Sequence, residues 1–192
     1  MLFRSQEASV VGMADGYARA TGRAAFCNLH AAAGVGNALG NIYTAYRNQT
    51  PLVIAAGQQA RGLLPMNPFL GASEAAQFPK PYVKWSCEPA RAEDVPTAIA
   101  HAYHIAMQRP HGPTFVSIPC DDWQKSTRRV PARRINGDIA PDPKALDELA
   151  QALRDARRPV IVAGAEIDQD DAGGAMVTLA EKIGAPVWAA PW

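Results

Sequence analysis

Residues 24–56 read AAFCNLHAAAGVGNALGNIYTAYRNQTPLVIAA, and this stretch decides the fold. It opens with an apolar run of strand length, Ala24–Leu29, and closes with a second one, Pro51–Ala56. Between the two runs, Gly34–Asn48 repeats its apolar residues at helical spacing. This order predicts a β-α-β unit. The near-continuous apolar run of the second strand is typical of a sheet that helices cover on both faces.

The same alternation of strand and helix continues on both sides of this unit. The further predicted elements are a helix over Gln6–Thr21 that stops at Gly22, a strand over Tyr82–Ser86, a helix over Glu93–Gln108 and a strand over Pro113–Ile118. The pattern predicts an α/β domain with a mainly parallel sheet over residues 1–124. The connection Gly57–Pro81 is long and irregular, and loops longer than ~12–15 residues tend to be functional, so we expect it to border a pocket.

Residues 125–142 are predicted to form a linker, because arginine, proline, glycine and aspartate replace the apolar runs there. The basic cluster of this segment consists of Arg128, Arg129, Arg133 and Arg134. A solvated linker is the favoured interpretation of the cluster, and contact with phosphate is the alternative. Residues 143–192 then predict the start of a second α/β domain, with helices over Pro143–Arg157 and Ala172–Ile183 and strands over Pro159–Ala163 and Pro186–Ala189. Two strands in about fifty residues are too few to close a core, so this domain is expected to be incomplete.

Composition excludes several classes of protein. Hydrophobic residues make up 48% of the 192 residues and charged residues 19%, which is far from a disordered composition. The net charge of +1 argues against a nucleic acid or an anionic membrane as partner. Cys27, Cys87 and Cys120 form no C-x-x-C pair, which indicates reduced thiols and a cytoplasmic protein. No apolar stretch approaches the ~18 residues of a membrane span, and no secretory segment is recognisable at Met1–Glu7.

The glycines at positions 34, 36 and 40 lie between a predicted strand and helix, where dinucleotide-binding loops occur. Such a site also needs an acid at the end of the next strand, but that strand ends in Ala56-Gly57-Gln58. A tight turn in which glycine lets the backbones pack is therefore favoured over a dinucleotide site.

Four acidic or histidine residues are further candidates. Glu7 stands in the first turn of a helix, where a carboxylate often serves only the helix dipole. His30 follows a strand at the end where α/β folds bind ligands. Asp121 and Asp122 form either a metal-binding pair or, as we favour, a cap at the end of a strand.

The segment Gln6–Gly22 carries the string E-x-x-x-x-x-M-A-D-G-Y-A-R-x-T-G. This string resembles the glutamate-bearing helix of the pyrimidine-binding domain in thiamine diphosphate enzymes. Four further segments are similar to the benzoylformate decarboxylase branch of that family: Asn28–Asn37, Ala56–Gln59, Lys84–Ser86 and Pro119–Trp123. The acetolactate synthase branch would carry an S-G-P-G segment where this chain has His-Ala-Ala-Ala-Gly.

The resemblance implies three α/β domains in the intact protein, of which this chain would hold an incomplete pyrimidine-binding domain and the start of the middle domain. The diphosphate-binding domain, with a G-D-G motif that holds Mg2+, has no counterpart in the sequence. We therefore expect a fragment that is inactive alone. Thiamine diphosphate is the implied cofactor, Mg2+ would bind to the missing C-terminal domain rather than to a metal site here, and the intact protein would be a homodimer or homotetramer.

The resemblance also implies a role for five residues. Glu7 matches the glutamate that hydrogen-bonds N1′ of the aminopyrimidine, His30 matches a histidine that acts in proton transfer, and Asn37 matches a position near the cofactor. Phe69 and Leu70 match two positions that line the substrate pocket. The implied reaction is decarboxylation of a small-molecule 2-keto acid, benzoylformate to benzaldehyde and carbon dioxide. An acetolactate-synthase-like or other thiamine diphosphate carboligase or lyase is one alternative, and a non-catalytic truncated product is another.

Overall fold

The computed structural model describes residues 6–131, 133, 135–136 and 139–190. The chain divides into two units, Met1–Gly137 and Asp138–Trp192. In the described ranges, no helix is both long enough and apolar enough to span a bilayer.

The first unit is built on a four-stranded sheet, as the alternation in the sequence predicted. Its strands are β1 (Ala25–Leu29), β2 (Leu52–Gln58), β3 (Trp85–Cys87) and β4 (Thr114–Pro119). They lie in the order β1-β2-β4-β3, and every neighbouring pair is parallel. The predicted parallel α/β fold is confirmed.

Helices cover both faces of this sheet. Helices α1 (Glu7–Thr21) and α2 (Ala31–Arg47) pack on one face, and α3 (Val95–Met107) packs on the other. The alternate side chains of β2 enter two separate cores: Leu52 and Ile54 pack with α1 and α2, whereas Val53 packs with α3. This double burial explains why the strand reads as a near-continuous apolar run.

Polar contacts fix the register of α1 against α2. Asn41 donates to the backbone oxygen of Ala8, and Asn48 donates to Asp15 at 3.3 Å. Asp15 also accepts a hydrogen bond from the buried hydroxyl of Thr50. The partners in all three contacts are 33 to 35 residues apart, so the two helices run side by side in the same direction.

Several predicted boundaries were wrong. Helix α2 begins at Ala31 rather than Gly34, because the amide of Gly34 already closes a helical turn onto the oxygen of His30 at 2.8 Å. The glycines at 34, 36 and 40 are therefore helical and form no turn. Strand β3 begins at Trp85 rather than Tyr82, since β4, its only strand partner among the described residues, pairs from Thr114 onward.

The second unit has the predicted β-α-β order. It contains α4 (Pro143–Asp155), β5 (Ile161–Ala163), α5 (Glu166–Gln169), α6 (Gly173–Ile183) and β6 (Val187–Ala189), of which α5 was not predicted. Strands β5 and β6 pair in parallel. Asp142 caps α4 by accepting from the amide of Lys144 at 3.1 Å. Among the described apolar residues of this unit, only Ala180 is buried.

Burial of Cys27 predicts a pH dependence of stability. Its side chain lies in the core, and desolvation raises the pKa of the thiol to about 12 from an ordinary value of about 9. Between pH 9 and 12 the unfolded chain loses this proton while the folded chain keeps it. The free energy of unfolding should therefore fall by up to about 1.4 kcal/mol per pH unit through this window, and should be unaffected by Cys27 below it.

Urea titrations across this pH range would give the free energy of unfolding at each pH. The effect is the difference between the wild type and Cys27→Ala in the slope of this free energy against pH. Cys120→Ala is the matched control, because Cys120 is exposed. Equal slopes for the wild type and Cys27→Ala would contradict the prediction.

Candidate active site

The carboxyl ends of the parallel strands form one edge of the first sheet, and the candidate residues gather there. Helix α1 leads through Gly22 into β1 and so runs opposite to it, which places its first turn, with Glu7, at this edge. His30 follows the last residue of β1 and opens α2. The loop after β2 and the turn after β4 leave from the same edge. This is where ligands bind in open α/β sheets.

The Glu7 carboxylate is half-buried between α1 and α2. It lies directly against Gly34, where a Cβ atom would come within 3.1 Å of both Cγ and Oε1 of Glu7. Asn37 lies 3.5 Å away, measured from its Nδ2 to Glu7 Oε2. The structure thus brings Glu7 and Asn37 together, and the missing side chain at position 34 makes room for the carboxylate.

Two glycines of α2 give a matched test of this arrangement. An alanine Cβ at Gly40 would meet no atom within 4 Å, so Gly40→Ala should raise the free energy of unfolding by about 0.5–1 kcal/mol through helix propensity. Gly34→Ala should gain less or lose stability, because the carboxylate of Glu7 must move. Urea titration of the two variants measures the difference. An equal gain would mean that Glu7 is not seated against Gly34.

His30 stands at the N-cap position of α2 with an exposed imidazole. Its backbone is extended, and its side chain does not cap the helix. Over the described part of the chain, the ring makes no hydrogen bond with another residue. The imidazole is therefore accessible to a ligand at this edge.

Phe69 and Leu70 lie within the loop that follows β2. The side chain of Phe69 is 87% exposed, and Leu70 has a φ of 64°, in the left-handed region. Farther along the loop, the ring of Phe78 reaches α2, because a Cβ at Gly36 would lie 3.6 Å from its Cζ. The loop therefore returns to the start of α2, which also carries Asn37.

A hydrogen-bonded network behind this loop was not foreseen. Its side chains come from Gln58, Gln59, Glu88 and Ser117. Both glutamines belong to the segment Ala56–Gln59, whose only signal in the sequence was its resemblance to a family. The two glutamines carry no chemical pattern in their spacing, and apart from the amide of Gln59 their partners are Glu88 and backbone atoms 10 to 14 residues away.

The carboxylates of Asp121 and Asp122 both contact Arg61 rather than forming the strand-end cap that we favoured, and Asp121 accepts a hydrogen bond from the amide of Arg61 at 3.4 Å. Asp122 is buried in an ion pair with Arg61, whose Nη2 lies 2.5 Å from Oδ2 of the carboxylate. The same Nη2 donates to the oxygen of Pro89 at 2.7 Å. The hydrogen bond to Asp122 raises the pKa of Arg61 above its ordinary value. No group of three or more potential metal ligands occurs in the described ranges.

An apolar cavity of about 450 Å³ lies away from this edge, near the start of β1. Its walls come from β1, α3 and the segment after β4, and they include Phe26, Ile99, Tyr103, Arg129 and Val130. None of the candidate residues lines it. Of the basic cluster, Arg128, Arg129 and Arg133 are exposed, and Arg134 lies outside the described residues.

Comparison with known proteins gives matches to one family of enzymes. Residues 1–79 match the family described as thiamine pyrophosphate enzyme, N-terminal TPP binding domain, and residues 146–191 match the central domain of the same enzymes. The chain is 47% identical over 189 residues to benzoylformate decarboxylase from Pseudomonas aeruginosa, which covers 96% of this chain and 36% of that protein.

Solved structures give the same result. Benzoylformate decarboxylase from Polynucleobacter necessarius superposes with a TM-score of 0.92 at 47% identity, over 97% of this chain and 35% of that one. The thiamine diphosphate-dependent 4-hydroxybenzoylformate decarboxylase from Rhodococcus jostii RHA1 gives a TM-score of 0.92 at 41% identity, over 97% and 36%. The chain thus spans about a third of the length of the proteins it matches. It belongs to the thiamine pyrophosphate enzyme family, in which it corresponds to the N-terminal TPP-binding domain and the central domain.

Proposed function

We propose that this chain forms part of a thiamine diphosphate-dependent 2-keto acid decarboxylase that converts benzoylformate to benzaldehyde and carbon dioxide. The observation that carries the proposal is the half-buried carboxylate of Glu7, seated against Gly34 beside Asn37 at the carboxyl edge of the sheet. The similarity to two benzoylformate decarboxylases supports the choice of substrate.

The residues at this edge fit an aminopyrimidine. A carboxylate is an acceptor for a protonated ring nitrogen, and the glycine at position 34 leaves space beside it. Glu7 would accept a hydrogen bond from N1′ and hold a proton there, and Asn37 would orient the carboxylate from 3.5 Å. When bound, the cofactor supplies the nucleophile and the electron sink for decarboxylation. The C-terminal diphosphate-binding domain of the intact protein would hold Mg2+ and the diphosphate.

His30 is proposed to transfer a proton to or from the substrate. Imidazole exchanges protons near neutral pH, and this ring is exposed at the end of β1. Phe69 and Leu70 are proposed to contact the side chain of the 2-keto acid. The exposed ring of Phe69 offers an apolar face of the kind that an aryl group prefers.

We further propose that the protein works as a homodimer or homotetramer in the cytoplasm. Exposed aromatic residues on α1 and α2, Tyr17, Tyr43 and Tyr46, suit a face that another subunit covers. All three cysteines are free, which suits a reducing compartment.

The test begins with the DNA that encodes this chain. We expect the reading frame to continue into a segment with a G-D-G motif. The protein expressed from the whole frame should release carbon dioxide from benzoylformate in the presence of thiamine diphosphate and Mg2+. Higher turnover of pyruvate than of benzoylformate would contradict the aryl substrate. Condensation of two pyruvates would favour an acetolactate-synthase-like carboligase. A protein that acts on neither acid would contradict the proposal that this chain is part of an enzyme.

A further inference from the structure

We propose that Gln58 and Gln59 are positioning residues that hold the segment Phe69–Ala72 and thereby set which substrate side chain fits. The inference rests on the proposed function for its substrate, because Phe69 and Leu70 are the proposed pocket wall. The two glutamines stand at the end of β2 and immediately after it, on the edge that carries Glu7 and His30.

The carboxamide of Gln58 is the centre of this arrangement. Gln58 is buried, and both hydrogens of its Nε2 and both acceptor positions of its Oε1 are used. Nε2 donates to the oxygen of Ala72 at 2.7 Å and to Glu88 Oε2 at 3.5 Å. Oε1 accepts from the amide of Ala72 at 3.2 Å and from the amide of Gln59 at 2.9 Å. Gln58 thus holds Ala72 by both of its backbone polar groups.

Gln59 holds the other end of the same segment. Its side chain Nε2 donates to the oxygen of Phe69 at 2.9 Å. The two consecutive glutamines therefore grip a four-residue segment at its first and last residues. We call these two side chains, Gln58 and Gln59, the glutamine clamp.

Glu88 fixes the orientation of the clamp from behind. Its Oε2 accepts from the hydroxyl of Ser117 at 2.6 Å as well as from Gln58. Ser117 belongs to β4 and is buried. A carboxylate has no hydrogen to donate, so Glu88 requires the Nε2 end of Gln58 to face it. The Oε1 end of Gln58 then faces the amide of Ala72. The orientation of the carboxamide is thus tied to the sheet itself.

The segment Phe69–Ala72 needs such support because its own side chains make few contacts with the rest of the protein. Phe69 is 87% exposed, so its ring has few contacts that could hold the backbone. Leu70 has a φ of 64°, a conformation that a side chain with a Cβ rarely adopts unless its surroundings impose it. The amide of Gly71 closes a turn around Phe69 and Leu70 by donating to the oxygen of Pro68 at 2.9 Å, and the clamp attaches both ends of the segment to the sheet edge.

Two variants test the inference in the protein expressed from the full reading frame. Gln58→Met and Gln59→Met keep the approximate length of the side chain and remove its hydrogen bonds. Gln108→Met is the matched control, since this glutamine lies at the end of α3 and its side chain contacts His104. Gln59→Met keeps the inference testable if Gln58→Met fails to fold, because Gln59 is only half-buried and its replacement should be tolerated better.

The first readout is amide hydrogen exchange, which does not depend on activity. The amide of Ala72 should exchange at least tenfold faster in Gln58→Met, and at the wild-type rate in Gln108→Met. Unchanged protection of Ala72 in Gln58→Met would overturn the positioning role.

The second readout is the ratio of kcat/KM for benzoylformate to kcat/KM for pyruvate. Both clamp variants should change this ratio at least tenfold, whereas a merely structural defect lowers both values together. Faster exchange with an unchanged ratio would overturn the specificity role. If the wild type decarboxylates neither acid, the proposed function fails and the specificity role falls with it, while hydrogen exchange still decides the positioning role.

Discussion

Glu7→Gln should lower the decarboxylation rate of the protein expressed from the full reading frame by about 10²–10⁴-fold, the range typical of a lost acid–base group. Glutamine has almost the same size as glutamate, so the packing against Gly34 should persist. The neutral amide, however, no longer attracts a proton to the ring nitrogen of a bound aminopyrimidine. The loss should therefore appear mainly in kcat.

Steady-state kinetics with benzoylformate measures this loss, and a thermal unfolding curve verifies that the fold is retained. Glu181→Gln is the matched control, because it removes the same charge from an exposed position on α6. Full activity in Glu7→Gln would show that the carboxylate serves only the helix, the alternative that the sequence left open.

Arg61→Met should lower the free energy of unfolding by about 3–5 kcal/mol, because it leaves the carboxylate of Asp122 buried without its main partner. Lys125 lies 3.5 Å from the other oxygen of Asp122, but its side chain is 52% exposed and offers weaker compensation. The reverse change, Asp122→Asn, should cost less, since the guanidinium of Arg61 still reaches solvent and the oxygen of Pro89.

A second Arg–Asp pair provides the control for this prediction. Arg91 and Asp94 form an exposed pair, so Arg91→Met should change stability by no more than about 1 kcal/mol. Urea titrations of the single variants, and of Arg61→Met combined with Asp122→Asn, give the comparison. The double variant should be more stable than Arg61→Met alone. If Arg61→Met and Arg91→Met cost the same, burial of the Arg61 pair contributes nothing.

The sequence predicted those parts of the fold that depend on local pattern. The run Pro51–Ala56 indicated a strand buried on both faces, and β2 has this environment. The predicted start of α2 at Gly34 was wrong because Ala31–Ala33 carry no apolar periodicity, although alanine is the strongest helix former. The short α5 was missed since four residues are too few to show a period.

The candidate site depended on more than local pattern. Glu7 was a candidate from its place in the first turn of a helix, whereas Asn37 was singled out only through a resemblance. Their proximity comes from the parallel packing of α1 and α2, which brings together residues 30 positions apart. The partnership of Arg61 with Asp122 spans 61 positions, so no periodicity could reveal it, and the adjacent aspartates suggested a cap instead. The roles of Glu7, His30, Asn37, Phe69 and Leu70 remain predictions.

The glutamine clamp bears on how the substrate range of such an enzyme can evolve. All hydrogen bonds from the clamp to the segment end on backbone atoms: the oxygen of Phe69, and the amide and oxygen of Ala72. Any amino acid at position 69 provides this oxygen, and any amino acid except proline at position 72 provides both the amide and the oxygen. Mutations that exchange the side chains at positions 69 and 70 therefore leave the hold on the loop intact. Selection can reshape this wall through single substitutions while the inherited path of the main chain stays the same.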